Sequence, residues 1–154
     1  MIDKKKYFMG KALLQAQAAL RNREVPIGAV VVDKSGTIIA RAYNKMEAKR
    51  CQTAHAEVIA IEKACKKIDN WRLNGCWIYV TLEPCLMCIG LIQLSRLEGI
   101  VFGARSNLYG SGLSEGAKRP PYAQHLKIEG GIEAEESVAL LQRFFKTARK
   151  REEG

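Results

Sequence analysis

The pattern of apolar and polar positions predicts a helix and then a hairpin in the first third of the chain. Apolar residues recur on one helical stripe between residues 3 and 22, where Asp3 can cap the helix. The β-branched run 27–32 and the segment 37–43 are predicted strands, and a turn-forming sequence at 33–36 separates them. Strands joined by so short a turn are expected to pair as a hairpin. The helical stripe consists of Phe8, Ala12, Ala16, Ala19 and Leu20.

Helices and strands alternate through the rest of the chain. Thr53 is a predicted cap for a helix that extends to residue 67, and a strand at 76–82 precedes a helix at 85–95. A strand at 100–102 follows, then a stretch at 104–122 rich in Gly, Ser and Pro, which predicts a long surface loop, and a final helix at 134–151. This order predicts an α/β fold in which a central sheet lies between helices on both faces.

Length and composition are those of one globular domain. Of the 154 residues, 47% are hydrophobic and 27% charged, so the chain can bury a core and is not globally disordered. No internal repeat or linker divides it, and residues 1–154 are therefore predicted to form a single domain. No apolar run approaches a membrane span and no apolar signal stretch follows the charged N-terminus, so a cytoplasmic protein is expected.

The net charge of +9, from 25 basic and 16 acidic residues, favours a polyanionic partner such as nucleic acid. Solubility alone is the other explanation, because net charge does not show where the charges lie. In the final helix Arg143, Lys146 and Lys150 are spaced to share one face, with Arg149 and Arg151 beside them. They can contact phosphates or complement the negative end of the helix dipole, and the charge pattern leaves both interpretations open.

Two short motifs carry the candidate chemistry. His55-Ala-Glu57 and Pro84-Cys85-Leu-Met-Cys88 each stand where a helix is predicted to begin. Cys85 and Cys88 are one helical turn apart and share a face, where the helix dipole favours thiolates. His55 and Glu57 converge only at a helix start, where side chains lean back past the end of the axis. Pro84 suits its helix start because it has no N–H to leave unpaired. The spacing therefore predicts two helix starts around one metal ion.

This donor set is typical of a catalytic zinc site. One imidazole and two thiolates leave the fourth tetrahedral position to water, whose pKa zinc lowers to roughly 7. The Glu57 carboxylate, close to a ligand, can take the water's proton and return it to a leaving group. Cys65 and Cys76 are expected to be ordinary apolar thiols. Cys51, four residues before His55, stays open as a fourth ligand that would make the site structural.

The pattern H-x-E followed by P-C-x-x-C is the signature of zinc-dependent nucleobase deaminases. Further segments extend the likeness through residue 145, and together they resemble the bacterial tRNA-specific adenosine deaminase family. The resemblance implies a cytidine-deaminase-like three-layer α/β/α fold, a homodimer, and conversion of the wobble adenosine of a tRNA anticodon to inosine. The segments are Glu24-Val-Pro-Ile-Gly-Ala29, Ala42-Tyr-Asn44, Thr53-Ala-His-Ala-Glu57, Val80-Thr-Leu-Glu-Pro-Cys-Leu-Met-Cys88, Val101-Phe-Gly-Ala-Arg105 and Leu140-Leu-Gln-Arg-Phe-Phe145.

The resemblance also implies the residues of the metal centre. His55, Cys85 and Cys88 match the family's ligands for one Zn²⁺ per subunit. Glu57 matches its proton shuttle, which delivers the water's proton to the ring nitrogen and then protonates the departing ammonia.

Substrate contacts are implied in the same way. Asn44 matches a residue that touches the flipped base, in a pocket shaped by Ile27 and Pro84, although by sequence alone it is equally suited to a turn. Where the family usually carries an acidic residue after Phe-Gly-Ala-Arg, this chain has Ser106 and Asn107, two candidate RNA contacts. This difference predicts a looser preference for the nucleotide beside the target.

Three classes of function stay open, partly because the loop at 110–126 is shorter than expected for the family. They are an RNA-editing adenosine deaminase, a small-molecule deaminase acting on guanine, cytosine or a nucleotide, and a non-catalytic zinc-dependent RNA-binding module. Glu57 argues against the third, because a structural zinc needs no carboxylate there. The net charge and the basic final helix argue against the second. We therefore expect a tRNA adenosine deaminase that binds the anticodon stem-loop and has no membrane partner.

Overall fold

The helices and strands are those of a computed structural model that describes residues 2–107, 110, 112 and 119–153. They are α1 (Lys4–Arg21), β1 (Gly28–Val32), β2 (Ile38–Tyr43), α2 (Met46–Lys49), α3 (Ala56–Ile68), β3 (Trp77–Leu82), α4 (Leu86–Leu94), β4 (Gly99–Ala104), a 3₁₀ turn (Pro121–Ala123), β5 (Lys127–Glu129) and α5 (Ala134–Glu153). No helix in these described ranges is long and apolar enough to cross a membrane.

Five strands form one mixed sheet in the order β2-β1-β3-β4-β5. β1 is antiparallel to β2 and β3, whereas β3, β4 and β5 are parallel. As a result β2, β3 and β4 all end at the edge of the sheet where β1 begins. Ligands of open α/β sheets bind outside the carboxyl ends of strands. We call this edge, where residues 24–28, 44, 83–85 and 105–106 lie, the substrate edge.

Helices cover the sheet on both sides. α1 and α5 pack on one face, and α3 and α4 cover the other. Successive side chains of a strand point to opposite faces, so in β1 Val30 lies in the core beneath α1 while Val31 lies in the core beneath α3. These layers confirm the predicted three-layer α/β/α fold.

The first helix follows its predicted amphipathic pattern closely. The Asp3 carboxylate accepts hydrogen bonds from the N–H groups of Lys5 and Lys6, as expected for a cap. The predicted stripe is buried apart from its half-buried last residue. α1 lies so close to β1 that a Cβ at Gly28 would overlap the carbonyl oxygen of Ala12, so a glycine is required there.

The start of α3 differs from the prediction. The helix begins at Ala56, and its N-cap is His55. Thr53 lies two residues too early to cap it, and its hydroxyl instead lies 3.0 Å from the Cys51 sulfur. Pro84 is likewise two positions too early for its predicted role at the first helical residue, because Cys85 is the N-cap of α4 and Leu86 is that residue.

Two short elements were not predicted, and part of the predicted loop lies outside the described residues. α2 has four residues and β5 has three, too few to show a periodic pattern. Of the loop predicted at 104–122, residue 104 belongs to β4 and residue 121 begins the 3₁₀ turn. Positions 108, 109, 111 and 113–118 are not described.

Candidate metal centre and active site

Three metal-binding atoms come together at the substrate edge. His55 and Cys85 are the N-caps of α3 and α4, and neither side chain makes a capping hydrogen bond. His55 Nδ1 lies 3.7 Å from Cys85 Sγ and 3.4 Å from Cys88 Sγ, and all three atoms lie within 4.8 Å of one another. Tetrahedral zinc with ordinary bond lengths holds a nitrogen and a sulfur ligand about 3.5 Å apart. The observed distances therefore fit a zinc ion.

The other thiols do not join this group. Within the described part of the chain, the cluster of side chains able to hold a metal contains only the three residues named above. Cys51, the candidate fourth ligand, is exposed and contacts a threonine hydroxyl. Cys76 is buried and Cys65 half-buried elsewhere in the core, as expected of apolar thiols. Three protein ligands leave one tetrahedral position open, the arrangement of catalytic sites.

Glu57, the acid–base group expected from the sequence, lies beside the cluster. It is the second residue of α3, only 4% of its side chain is exposed, and its carboxylate is hydrogen-bonded to the Cys88 thiol. His55 and Glu57, two residues apart, therefore both lie at the start of α3, as the spacing predicts. Burial raises the pKa of the Glu57 carboxyl above its ordinary value. A carboxyl with a raised pKa is better suited to carry a proton near neutral pH.

The protonation of the ligands also suits a metal. Burial lowers the pKa of His55, which keeps the imidazole neutral and able to donate a lone pair. Burial raises the pKa of Cys88, and the nearby charges of Glu57 and Cys85 raise it further. A buried thiol of this kind becomes a thiolate when a cation compensates its charge, so zinc binding here releases protons.

The residues expected to shape the substrate pocket lie at neighbouring strand ends. Asn44 follows β2 and is buried; its N–H donates to the Ile27 carbonyl at 3.0 Å. Its side-chain amide donates to the Val25 carbonyl at 3.3 Å and accepts from the Met46 N–H at 3.3 Å. Half-buried Ile27 precedes β1 and buried Pro84 follows β3, so both lie at the substrate edge with Asn44.

Glu24 is a structural residue of the site that sequence reasoning missed. Its side chain is buried, and its two carboxylate oxygens accept hydrogen bonds from the N–H groups of Glu47 at 2.9 Å and Ala48 at 2.8 Å. It therefore caps α2 from outside, close to Asn44. The only sequence signal is an acidic residue four positions before a buried strand, which does not indicate the partner.

Replacing Glu24 by alanine is expected to lower the free energy of unfolding by about 2–4 kcal/mol, because it removes two hydrogen bonds to a charged group. Thermal unfolding followed by circular dichroism measures the loss. Glu47→Ala is the matched control, because Glu47 is exposed and takes part through its backbone. Equal melting temperatures for the two variants would contradict the assigned role of Glu24.

A second buried carboxylate ties the loop after β4 to the metal centre. Glu83 directly precedes Pro84 and Cys85, and it accepts hydrogen bonds from the N–H groups of Ser106 at 3.2 Å and Gly112 at 3.0 Å. A Cβ at Gly110 would overlap this carboxylate. Glu83 thus fixes the described part of the loop against the segment that joins β3 to the start of α4, where the cysteines lie.

The candidate RNA contacts fall into two groups. Ser106 is half-buried and Asn107 exposed, and both lie in the loop that Glu83 anchors at the substrate edge. Arg143, Lys146 and Lys150 are exposed on α5, which packs on the other face of the sheet from α3 and α4. The structure therefore places the first group at the substrate edge, where the metal cluster also lies, and leaves the second on a different layer.

Comparison with known proteins assigns the family. The family model of the cytidine and deoxycytidylate deaminase zinc-binding region matches residues 2–104, two thirds of the chain. The chain belongs to this deaminase family. The matched region contains the metal cluster and Glu57, so the family and the donor set agree on one zinc ion per subunit.

Individual relatives show which deaminases of this family the chain is similar to. The chain is 42% identical over 146 residues to the tRNA-specific adenosine deaminase of Bacillus subtilis, covering 94% of this chain and 90% of that one. A structure from a study of A-to-I editing by tRNA:A34 deaminases at the wobble position has a TM-score of 0.80 at 36% identity, covering 88% and 99%. Guanine deaminase from Nitrosomonas europaea has a TM-score of 0.78 at 26% identity, covering 90% and 83%.

Proposed function

We propose that this deaminase converts adenosine to inosine at the wobble position of a tRNA anticodon. The observation that carries the proposal is the cluster of His55, Cys85 and Cys88 beside Glu57, in a chain 42% identical to a tRNA-specific adenosine deaminase. The catalytic unit is one domain, residues 1–154, that works in the cytoplasm on the anticodon stem-loop.

The chemistry is hydrolytic. When bound by His55, Cys85 and Cys88, zinc supplies the positive charge that makes water a nucleophile near neutral pH. Glu57 would take one proton of that water and deliver it to the purine ring nitrogen as the hydroxide adds to the ring carbon. It would then take the remaining proton of the added hydroxyl and give it to the amino group, which leaves as ammonia when the carbon–nitrogen bond breaks. Asn44 holds the base in a pocket bounded by Ile27 and Pro84.

The RNA-binding part of the proposal involves two surfaces. Ser106 and Asn107 contact nucleotides beside the target from the loop at the substrate edge. Arg143, Lys146 and Lys150 contribute phosphate contacts from α5, which give affinity without sequence discrimination. Because an acidic residue is missing after Arg105, the preference for the flanking nucleotide is looser than in relatives.

An anticodon stem-loop with adenosine at the wobble position should be deaminated far faster than free adenosine, cytidine or guanine. The target base of a loop is already unpaired, so extruding it costs little, and phosphate contacts hold the rest of the RNA. Inosine or ammonia formation on all four substrates gives kcat/KM, which at subsaturating RNA should fall steeply with salt. Equal kcat/KM on the stem-loop and a free base, without salt dependence, would instead assign a small-molecule deaminase such as the guanine enzyme.

We also propose a homodimer formed through α4. This helix is apolar on all sides: Cys88, Ile89 and Ile92 are buried, yet Leu86 is 74% exposed and Leu94 52%. A helix that is hydrophobic all round is normally buried on all sides. Next to it, Trp71 and Leu91 line a groove of about 700 Å³ between α3 and α4. A second copy of the chain at this face would lie beside the metal centre.

Multi-angle light scattering should give the mass of a dimer for the natural chain and of a monomer for Leu94→Glu. Leu14→Glu is the matched control, because Leu14 is equally exposed at 53% but lies on α1, in the opposite layer. The control should stay dimeric. A monomeric natural chain, or dimers in both variants, would count against the α4 interface.

A further inference from the structure

A small cationic cavity lies between the end of α1 and the second half of α5. Its volume is about 170 Å³. Its lining residues come from these two helices and the turn after α1, none of which contributes to the metal cluster. They are Leu20, Arg23, Arg143, Phe144, Thr147 and Arg151. We call this cavity the arginine pocket.

Two backbone features bring the three arginines together. Arg143, Thr147 and Arg151 are spaced at i, i+4 and i+8 on α5, so they form one stripe of that helix. Arg23 follows α1 in the left-handed region, with φ of 60°, and its N–H donates to the Leu20 carbonyl at 3.1 Å. The pocket therefore depends on the packing of α1 against α5 as well as on the charge of α5.

No carboxylate balances these charges in the part of the chain that the structure describes. None of the lining residues is acidic, and no described residue forms an ion pair with Arg23, Arg143 or Arg151. Glu24 is next to Arg23 in sequence, but both of its oxygens accept hydrogen bonds from α2. The lining of the pocket therefore carries a positive charge that favours binding of an anion.

The chemistry of the pocket favours a phosphate group. A guanidinium presents paired N–H donors that match two phosphate oxygens, and charge-assisted hydrogen bonds of this kind are the strong ones. The Thr147 hydroxyl donates to the Arg143 carbonyl at 3.0 Å, so the donors to an anion come from the arginines. Three arginine side chains that line one small cavity favour a compact anion with more than one charged oxygen.

The pocket also borders the substrate edge. Arg23 is two residues before Val25, whose carbonyl holds the side-chain amide of Asn44 at 3.3 Å. The turn that carries Arg23 is therefore within reach of the backbone of an RNA whose target base lies at Asn44. Along α5, Arg143 and Arg151 extend the positive surface away from that point.

We propose that the arginine pocket binds one phosphate of the RNA backbone and fixes the stem-loop on the enzyme while its target base is in the active site. This inference rests on the proposed RNA substrate. It differs from a general positive surface because it assigns the affinity to Arg23, Arg143 and Arg151 together rather than to the number of charges on α5.

The test compares two triple variants with the same change of charge. The pocket variant carries Arg23→Gln, Arg143→Gln and Arg151→Gln. The control carries Lys4→Gln, Lys6→Gln and Lys67→Gln, which are exposed and lie outside both the pocket and the proposed RNA contacts. Fluorescence anisotropy with a labelled anticodon stem-loop gives Kd, and inosine formation gives KM and kcat. Inorganic phosphate is added as a competitor.

The pocket variant should raise Kd and KM at least roughly tenfold, and the control less than about threefold. Both lose the same net charge, but only the pocket variant also loses the paired hydrogen bonds from arginine to phosphate. Zinc content and kcat at saturating RNA should not change in either. Inorganic phosphate should compete with RNA for the natural enzyme and lose that effect in the pocket variant. A double variant, Arg143→Gln with Arg151→Gln, avoids the left-handed position of Arg23 and should show most of the loss.

Equal losses in the two triple variants would overturn the pocket and leave only diffuse attraction. Competition by inorganic phosphate without a selective loss of RNA binding would identify a site for free anions instead of RNA. The stem-loop Kd is measured without turnover, so it tests the pocket even if the natural enzyme forms no inosine. Absence of inosine with selective loss of RNA binding would contradict the proposed function and not the pocket.

Discussion

Glu57→Gln is expected to keep the fold and the zinc but to lower turnover by roughly 10²–10⁴-fold, the usual contribution of a positioned acid–base group. Glutamine has nearly the same shape and fits the same buried position in the first turn of α3. It cannot take a proton from water or return one to the purine ring and the ammonia. The loss should therefore appear in kcat, measured as inosine formation at saturating stem-loop, with zinc per chain unchanged.

Glu62→Gln is the matched control for Glu57→Gln. Glu62 lies on the same helix, is exposed and does not contact the metal cluster. Its variant should retain the activity of the natural enzyme. If Glu57→Gln stayed nearly as active, another group would be moving the protons, and the mechanism proposed for this site would be wrong.

The metal cluster could be located from sequence because the geometry of a helix start restricts residue spacing. His55 and Glu57 diverge in the middle of a helix, so a shared function for them predicts that α3 begins there. Cys85 and Cys88 are separated by one turn, which predicts a common face on any helix. The structure places His55 and Cys85 at N-caps, and their side chains are directed to the cluster instead of to the backbone. Thr53 was the wrong cap because His55 occupies that position.

The buried carboxylates that support the site, Glu24 and Glu83, could not be predicted, because their hydrogen-bond partners are distant in sequence. Glu24 is bonded to residues 23 and 24 positions later, and Glu83 to residues 23 and 29 positions later. No helical or strand period connects such pairs. α2 and β5 were missed for a related reason: each is too short to repeat a pattern, and each is held by tertiary contacts. Glu24 caps α2, and β5 pairs with β4.

The arginine pocket could not be predicted from the sequence for the same reason, because its charged residues come from two distant segments. The spacing of Arg143, Lys146 and Lys150 predicts a shared face of the last helix, and α5 is indeed helical over that range. Which of these cations meets others depends on α1, since Arg23 contributes from a separate element. The prediction therefore found the charged helix and did not find the place where its charges converge.

Cys88→Ala is expected to abolish stoichiometric zinc binding and activity together. Cys88 is fully buried, lies 3.4 Å from His55 Nδ1 and is hydrogen-bonded to Glu57. Without its sulfur, two protein ligands remain, too few to hold zinc tightly. Zinc present at a thousand times its Kd stabilises a folded protein by about 4 kcal/mol. For a domain of this size that corresponds to a fall in melting temperature of roughly 8–16 °C.

Zinc per chain, measured by inductively coupled plasma mass spectrometry, separates metal loss from simple loss of packing. Cys76→Ala is the control for packing, because Cys76 is also buried but lies outside the cluster, so this variant should lose some stability and keep its zinc. Cys51→Ala tests the remaining candidate ligand and should keep both zinc and activity. One zinc per chain surviving in both Cys85→Ala and Cys88→Ala would show that the metal is held elsewhere. Loss of zinc in Cys51→Ala would restore a four-ligand structural site and remove the open position that catalysis needs.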